Sequence, residues 1–253
     1  MDQFLQTRFN VVCAPQQPSA AVLDSSSELL EPLFRKRARI FESDRAAWLT
    51  ARVRLFERFC LPSVAAQSKR DFTWLVYFDE GTPTEIRDRI EGWRQRCPQL
   101  LPVYTGSFGV KEAAWPVLQK GREEWIITTR LDSDDAIHRD FLKVVAGHAR
   151  PVREALNVTH GYHWFERAVF PYSSPSNMFV SLVERRDSAL SVLAYRHTMI
   201  SKTASLRQIK TGPFFISVIH DASLSKEAPK MLASIIPEHR IAQAFSIDRR
   251  VKL

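Results

Sequence analysis

Short apolar strands alternate with helical patterns through the first half of the chain, and this alternation constrains the fold more than any other feature. Strands are predicted over residues 4–13, 72–78, 101–105 and 125–131. Helices are predicted over residues 46–67, 111–121 and 141–149, and another follows a turn at 81–85 and ends near Cys97. Alternation of this kind is typical of a parallel sheet with helices on both faces.

The second half of the chain has a more mixed pattern. It predicts a hairpin over 155–170 around Gly161 and further strands over 177–183, 192–195 and 214–219. The 253 residues are 45% hydrophobic, which is enough to bury one full core. We therefore expect a single α/β domain over 1–253, made of halves at about 1–140 and 141–253.

An acidic cluster follows the strand predicted at 125–131. Asp132, Asp134 and Asp135 stand where that strand ends, and ligands of open α/β sheets bind at the carboxyl ends of strands. Asp132 and Asp134 are two residues apart, so both carboxylates point the same way in an extended segment. Such oxygen ligands suit Mg²⁺ or Mn²⁺, which would bridge them to a diphosphate and take up charge on a departing phosphate oxygen. Alternatively, Asp135 caps the next helix.

The chain is basic. Lys and Arg number 36 against 28 Asp and Glu, giving a net charge of +8 and a pI near 9.6. A basic surface fits nucleic acid, an anionic membrane face or phosphorylated substrates. Zinc-finger spacing, a helix-turn-helix signal and an aromatic-basic RNA motif are all missing from the sequence, so we expect no nucleic-acid partner.

Cysteine usage indicates a reducing compartment. Cys13, Cys60 and Cys97 are odd in number and far apart, with no Cys-x-x-Cys pair. We see neither a signal peptide nor a stretch of about 20 apolar residues. The expected location is cytoplasmic, with peripheral association at the inner face of the membrane and an unspecified oligomeric state.

Several segments in order resemble a known family. They are Thr7-Arg8-Phe9-Asn10; Phe56-Glu57 through Leu61-Pro62-Ser63-Val64 with Gln67-Ser68; Phe72-Thr73-Trp74-Leu75-Val76-Tyr77-Phe78-Asp79; and Thr129-Arg130-Leu131-Asp132-Ser133-Asp134-Asp135-Ala136. Together they resemble the bacterial "putative rhamnosyltransferase" family, a branch of the A-type glycosyltransferase fold. The resemblance implies a Rossmann-type nucleotide-diphospho-sugar transferase fold, with a mostly parallel central sheet flanked by helices.

The resemblance also implies roles for individual residues in a nucleotide-binding half and an acceptor half. Asp79, at the end of an early strand, would contact the nucleotide base, or else begins a turn before Gly81. Asp134 would be the direct metal ligand and Asp132 would lie near the ribose or the metal. Asp135 would either ligate the metal as well or cap the next helix. His220, at a later strand end, would complete the metal shell or is a surface histidine.

Inverting transfer needs a general base, which in this fold is usually a carboxylate of the acceptor half. Glu184 is the first choice, and Glu166 and Asp187 compete with it. Arg8 and Arg130 would bind the diphosphate. A wall that stacks on the sugar, or else plain core packing, would involve His163, Trp164 and Tyr172.

These expectations combine into one hypothesis about function. The chain would be a metal-dependent glycosyltransferase, using Mn²⁺ or Mg²⁺ and a nucleotide-diphospho-sugar, with rhamnose as the implied sugar. Its acceptor would be a glycan or lipid-linked glycan at the cytoplasmic membrane face. One alternative is a phosphatase-type hydrolase with a strand-end Asp nucleophile, although such enzymes usually carry it on the first strand. The other is a basic nucleic-acid-binding domain.

Overall fold

The structure is a computed structural model and describes residues 1–11, 44–165, 168–220 and 236–252. Cys13 and Glu166 lie outside the described residues. None of the helices in these described ranges is long and apolar enough to cross a membrane.

Twelve strands occur in the described residues: β1 (Asp2–Arg8), β2 (Thr73–Asp79), β3 (Leu100–Thr105), β4 (Trp125–Arg130), β5 (Ala136–Ile137), β6 (Glu154–Val158), β7 (His160–Phe165), β8 (Ala168–Ser173), β9 (Ser181–Arg185), β10 (Ser205–Ile209), β11 (Phe215–Val218) and β12 (Ile236–Pro237). The α-helices described are α1 (Arg45–Leu55), α2 (Leu61–Ala65), α3 (Thr84–Arg96), α4 (Val110–Lys120), α5 (Phe141–His148) and α6 (Glu238–Phe245). A π-helical segment, Phe56–Cys60, joins α1 to α2, and 3₁₀ turns occur at Arg186–Ser188, Val192–Ala194 and His197–Lys202.

The larger sheet has the strand order β10-β6-β9-β4-β1-β2-β3 in the described residues. Strands β3, β2, β1 and β4 are parallel, and β10 is parallel to β6. Strand β9 runs antiparallel to both of its neighbours, β4 and β6. The predicted mostly parallel sheet is therefore confirmed, with one reversed strand inside it.

Side chains that alternate along each strand supply two buried faces of this sheet. Leu5, Trp74 and Val76 pack on the side covered by α1, α2, α3 and α5. Phe4 and Leu75 point the opposite way and pack with α4 and the turns at Val192–Ala194 and His197–Lys202. Helices and turns on both faces explain why these strands are almost continuously apolar.

A second, smaller sheet has the order β12-β8-β7-β11-β5. Its β5 lies shortly after β4 in the chain, so the connection at 131–135, which contains the acidic cluster, runs from one sheet to the other. The element order thus fixes the acidic residues at the junction of the two sheets.

The hairpin predicted around Gly161 is wrong, because Gly161 lies inside β7 rather than in a turn. Strand β6 belongs to the large sheet, and β7 pairs instead with β8 and β11. A Cβ at Gly161 would collide with the ring and the carbonyl of Phe215, so the glycine permits close approach of two strands. The strand predicted at 192–195 is also wrong, because that segment forms a 3₁₀ turn.

The helix predicted at 46–67 is divided by the π-helical segment Phe56–Cys60. Pro62, near the start of α2, has no N–H to donate to the carbonyl of Arg58. That carbonyl instead accepts a 2.9 Å hydrogen bond from the backbone N–H of Asp248. The irregular segment is thereby a docking point for the end of the described chain.

Candidate functional site

The carboxyl ends of β1, β2 and β4 lie side by side and carry most of the polar residues predicted for the site. Register pairs Arg8 with Tyr77 in β2 and Gln6 with Arg130 in β4. Arg8, Asp79 and the acidic loop at 131–135 therefore occupy neighbouring positions on one edge of the sheet, where open α/β sheets bind ligands.

Asp134 and His220 are in direct contact. The His220 Nε2 lies 2.8 Å from the Asp134 Oδ2, and each side chain is 20% exposed. Burial raises the pKa of Asp134, but the His220 hydrogen bond and the charge of Arg52 outweigh it, so the pKa lies below its ordinary value. The structure thus joins a carboxylate after β4 to an imidazole after β11.

Asp135 has a structural role in this arrangement. Its carboxylate is buried and accepts a 2.8 Å hydrogen bond from the backbone N–H of Val218 in β11. Burial and the neighbouring Asp134 and Asp132 raise its pKa well above the ordinary value. Asp135 does not cap α5, whose N-cap is Asp140, and it instead fixes the acidic loop to the smaller sheet.

Asp132 is held by Arg130. The guanidinium donates to both carboxylate oxygens, with its Nη2 at 3.1 and 3.0 Å. The Nδ1 of His197 lies 3.5 Å from the Arg130 Nη1. Burial, together with the positive charges of Arg130 and, more weakly, Arg8, lowers the pKa of His197 to about 4. Arg8, Arg130, Asp132 and His197 are consequently one electrostatic group, in which the imidazole is neutral at pH 7.

Asp79 lies at the other end of the site, as the last residue of β2. Its Oδ1 accepts hydrogen bonds from the backbone N–H of Gly81 at 2.8 Å and from the Arg45 guanidinium at 3.1 Å. Its own N–H donates to the side chain of Asn10 at 3.1 Å. The hydrogen bond from Gly81 matches the turn that the sequence offered as the alternative role for Asp79. Only 14% of the Asp79 side chain is exposed.

The sequence interpretation missed several residues that contact this edge. Arg45 and Arg52 of α1 reach Asp79 and the hydroxyl of Ser133, and the ring of Trp48 lies against Arg52. The available signal was their spacing of three, four and seven residues, which places them on one face of a helix. No sequence pattern indicated that His197 belongs to the site, because only tertiary folding brings its turn close to Arg130.

Glu184 lies away from this site. It pairs with Ile126 near the start of β4, whereas Asp132 follows the end of that strand. Ile126 and Asp132 are six positions apart, which corresponds to about 20 Å of extended chain. Glu184 is 3% exposed, accepts a 3.0 Å hydrogen bond from the N–H of Ser191, and has its pKa raised by burial.

Of the two competing bases, Asp187 is not brought to the site either. Asp187 follows β9 at the same distant edge, is exposed, and pairs with Arg185, while Glu166 lies outside the described residues. The reason is the reversed direction of β9, which carries its last residues to the amino ends of the parallel strands.

Of the aromatic residues considered for a sugar wall, Trp164 is a core residue. It is 4% exposed and packs edge-on against Phe59 at 5.0 Å. His163 and Tyr172 form a cross-strand pair with ring centroids 3.8 Å apart and remain partly exposed. Within the described ranges, no three His, Cys, Asp or Glu side chains form a group that could hold a metal ion.

The mixed sheet, with helices on both faces and an acidic loop at its carboxyl edge, agrees with the predicted A-type glycosyltransferase fold. The chain belongs to the family described as "Putative rhamnosyl transferase", whose model matches residues 5–231. This confirms the family inferred from the sequence. No curated protein matches the sequence.

Solved structures show a distant similarity. S. aureus TarS 1–349 in complex with UDP-GlcNAc is 13% identical with a TM-score of 0.49, covering 90% of this chain and 61% of that one. The same fragment in complex with UDP is 14% identical with a TM-score of 0.47, covering 87% and 61%. A "putative nucleotide-diphospho-sugar transferase" from Desulfovibrio desulfuricans G20 is 12% identical with a TM-score of 0.36, covering 83% and 80%. The chain thus spans about 61% of the length of the TarS fragment structures.

Proposed function

We propose that this chain is a metal-dependent glycosyltransferase that moves a sugar from a nucleotide-diphospho-sugar to a glycan or lipid-linked glycan. The family supports rhamnose as the sugar. We also propose that residues 1–253 act as one domain, working at the cytoplasmic face of the membrane.

The contact between Asp134 and His220 is the observation that carries this proposal. At metal–ligand distances of about 2.1 Å, adjacent ligands of an octahedral ion lie about 3 Å apart. The 2.8 Å between the Asp134 Oδ2 and the His220 Nε2 is close to that spacing. Carboxylate oxygen and imidazole nitrogen are both accepted by Mn²⁺.

Two protein ligands are few for a closed metal site but suit an ion shared with a substrate. Mg²⁺ and ions like it are commonly held by one or two carboxylates, with substrate phosphates and water completing the shell. A divalent cation there would stabilise charge on the departing diphosphate. Asp132 would lie next to it, kept in place by Arg130.

The remaining residues of the carboxyl edge would hold the donor. Arg8 and Arg130 would contact the diphosphate, since a guanidinium matches the geometry of phosphate oxygens. Asp79 would contact the base, after exchanging the Arg45 contact for one with the nucleotide. The buried Asp135 would keep the acidic loop in position by its bond to Val218.

Calorimetric titration with UDP, dTDP, GDP and CDP, each with and without Mn²⁺, tests the proposal. We expect one diphosphate to bind with Mn²⁺ and more weakly without it. Asp134→Asn and His220→Gln should each weaken the Mn²⁺-dependent binding by at least about 10-fold, because the first removes the carboxylate charge and the second the imidazole nitrogen.

Asp88→Asn, on the exposed face of α3, is the matched control and should bind like the unmodified protein. Circular dichroism establishes that each variant is folded. Metal-independent binding by the unmodified protein, or unchanged Mn²⁺ dependence in both site variants, would contradict the assignment.

A further inference from the structure

Helix α1 crosses the carboxyl edge of the sheet, from the Asp79 end of the site to the acidic loop. Arg45 contacts Asp79 after β2, and Arg52 contacts Ser133 after β4. Seven residues of α-helix rise about 10 Å. Strands β2 and β4 flank β1, so their ends lie two strand spacings apart, also about 10 Å. The helix therefore spans the same stretch of the edge that the proposed donor would occupy.

Arg52 is positioned by contacts on two sides. Its guanidinium carbon lies 4.6 Å from the centre of the Trp48 ring, and one of its nitrogens donates to the Ser133 hydroxyl. The side chain is thus an oriented cation beside the acidic loop.

The excess negative charge expected at the occupied site favours a further cation such as Arg52. A diphosphate arriving at the acidic loop meets Asp132 and Asp134, and one divalent ion does not neutralise all of these charges. Arg130 already donates to both oxygens of Asp132. Arg8 and Arg130 would approach the diphosphate from the sheet. A guanidinium on helix α1 would approach it from the helix side and stabilise its phosphate oxygens there.

We propose, building on the function above, that Arg52 binds the diphosphate of the donor and that Trp48 orients it for this contact. Stacking on an aromatic face leaves the edge of the guanidinium available for hydrogen bonds. In the donor complex, a phosphate oxygen would accept the Arg52 hydrogen bond that the Ser133 hydroxyl accepts here. Arg52 is then a contact residue on the helix side, and Trp48 is a positioning residue.

The experiment compares a nucleoside with its diphosphate. Both ligands are titrated in the presence of Mn²⁺ into the unmodified protein, Arg52→Gln, Arg52→Lys and Trp48→Leu, using the base that the unmodified protein prefers. Arg54→Gln is the matched control, because Arg54 is exposed and lies about 200° around the helix axis from Arg52.

Arg52→Gln should weaken diphosphate binding by about 10- to 100-fold, the usual effect of losing a hydrogen bond to a charged group, and leave nucleoside binding unchanged. Arg52→Lys keeps the charge but loses the forked geometry, so its loss should be intermediate. Trp48→Leu should weaken diphosphate binding by about 2- to 5-fold. Arg54→Gln should change neither affinity.

Equal weakening of nucleoside and diphosphate binding in Arg52→Gln and Arg52→Lys would overturn the proposal, because it would show that Arg52 only supports the loop. Unchanged diphosphate affinity in both variants would also overturn it, while the function proposed above would stand. Failure of the unmodified protein to bind any diphosphate would contradict both. Should Arg52→Gln not fold, Arg52→Lys and Trp48→Leu carry the same comparison.

Discussion

Glu154, the first residue of β6, shows how this fold keeps a buried carboxylate charged. Its side chain is 2% exposed and receives Arg150 at 2.8 Å and Arg207 at 2.7 Å. Burial raises the pKa, but the two arginines outweigh it and lower the pKa to about 2. A folded-state pKa below the unfolded value means that the stabilisation is complete above about pH 4.5 and is lost as the pH falls toward 2.

Glu154→Gln should therefore lower the free energy of unfolding at pH 7 by about 2 kcal/mol, a value reduced because both arginines are partly exposed to solvent. The difference from the unmodified protein should shrink steadily between pH 4.5 and 2. Urea unfolding at pH 7, 4 and 3 measures both effects. Glu91→Gln, which removes an exposed pair with Arg94, should cost under about 1 kcal/mol. A Glu154→Gln difference that stays constant with pH would contradict the pKa argument.

At the scale of elements, the π-helical segment Phe56–Cys60 and helix α6 depend on Arg58. Its guanidinium lies 3.1 Å from Glu238 at the start of α6 and 2.8 Å from the carbonyl of Val251. The Arg58 and Glu238 side chains are only 11% and 14% exposed. Removing one partner of a largely buried ion pair leaves the charge of the other partner buried and unpaired, which is costly.

Arg58→Ala should accordingly release residues 236–252 before the large sheet unfolds. Hydrogen exchange should become faster in this segment, and the global stability should fall by about 3 kcal/mol. Arg94→Ala, which removes only an exposed pair, provides the comparison. Unchanged exchange in α6 would show that apolar contacts of Ile241 and Phe245 are sufficient to hold it.

Sequence patterns predicted the elements of the first half well, because each strand and helix there carries its own period. They could not predict the turn at Val192–Ala194, which is set by Ser191 at a φ of 71° and by a bond from the Val192 N–H to Thr128. Nor could they predict the direction of β9, since a period of two is the same in both directions. The sequence did suggest that His220 and Asp134 share a site, and the structure brings them into contact. The direction of β9 carries Glu184, the residue chosen as general base, to the opposite edge of the sheet.

At the scale of the whole molecule, the net charge of +8 favours an anionic surface. Trp115 of α4 is 63% exposed, and aromatic rings of this kind are stable at the membrane–water interface. We expect sedimentation with phosphatidylglycerol vesicles at low salt and release at about 0.5 M NaCl, where screening is strong. Trp115→Ala should weaken this binding. Equal sedimentation with neutral phosphatidylcholine vesicles would contradict an electrostatic association.

The reversed strand β9 also has a consequence for the newly made chain. Strand β4 ends at Arg130, but the neighbour that covers its outer side begins only at Ser181. During synthesis, β4 therefore emerges from the ribosome with a row of unpaired backbone groups, which are a template for pairing with other chains. The yield of soluble protein should then depend on how soon β9 inserts. Chaperone binding over this interval should therefore improve recovery without changing the finished protein.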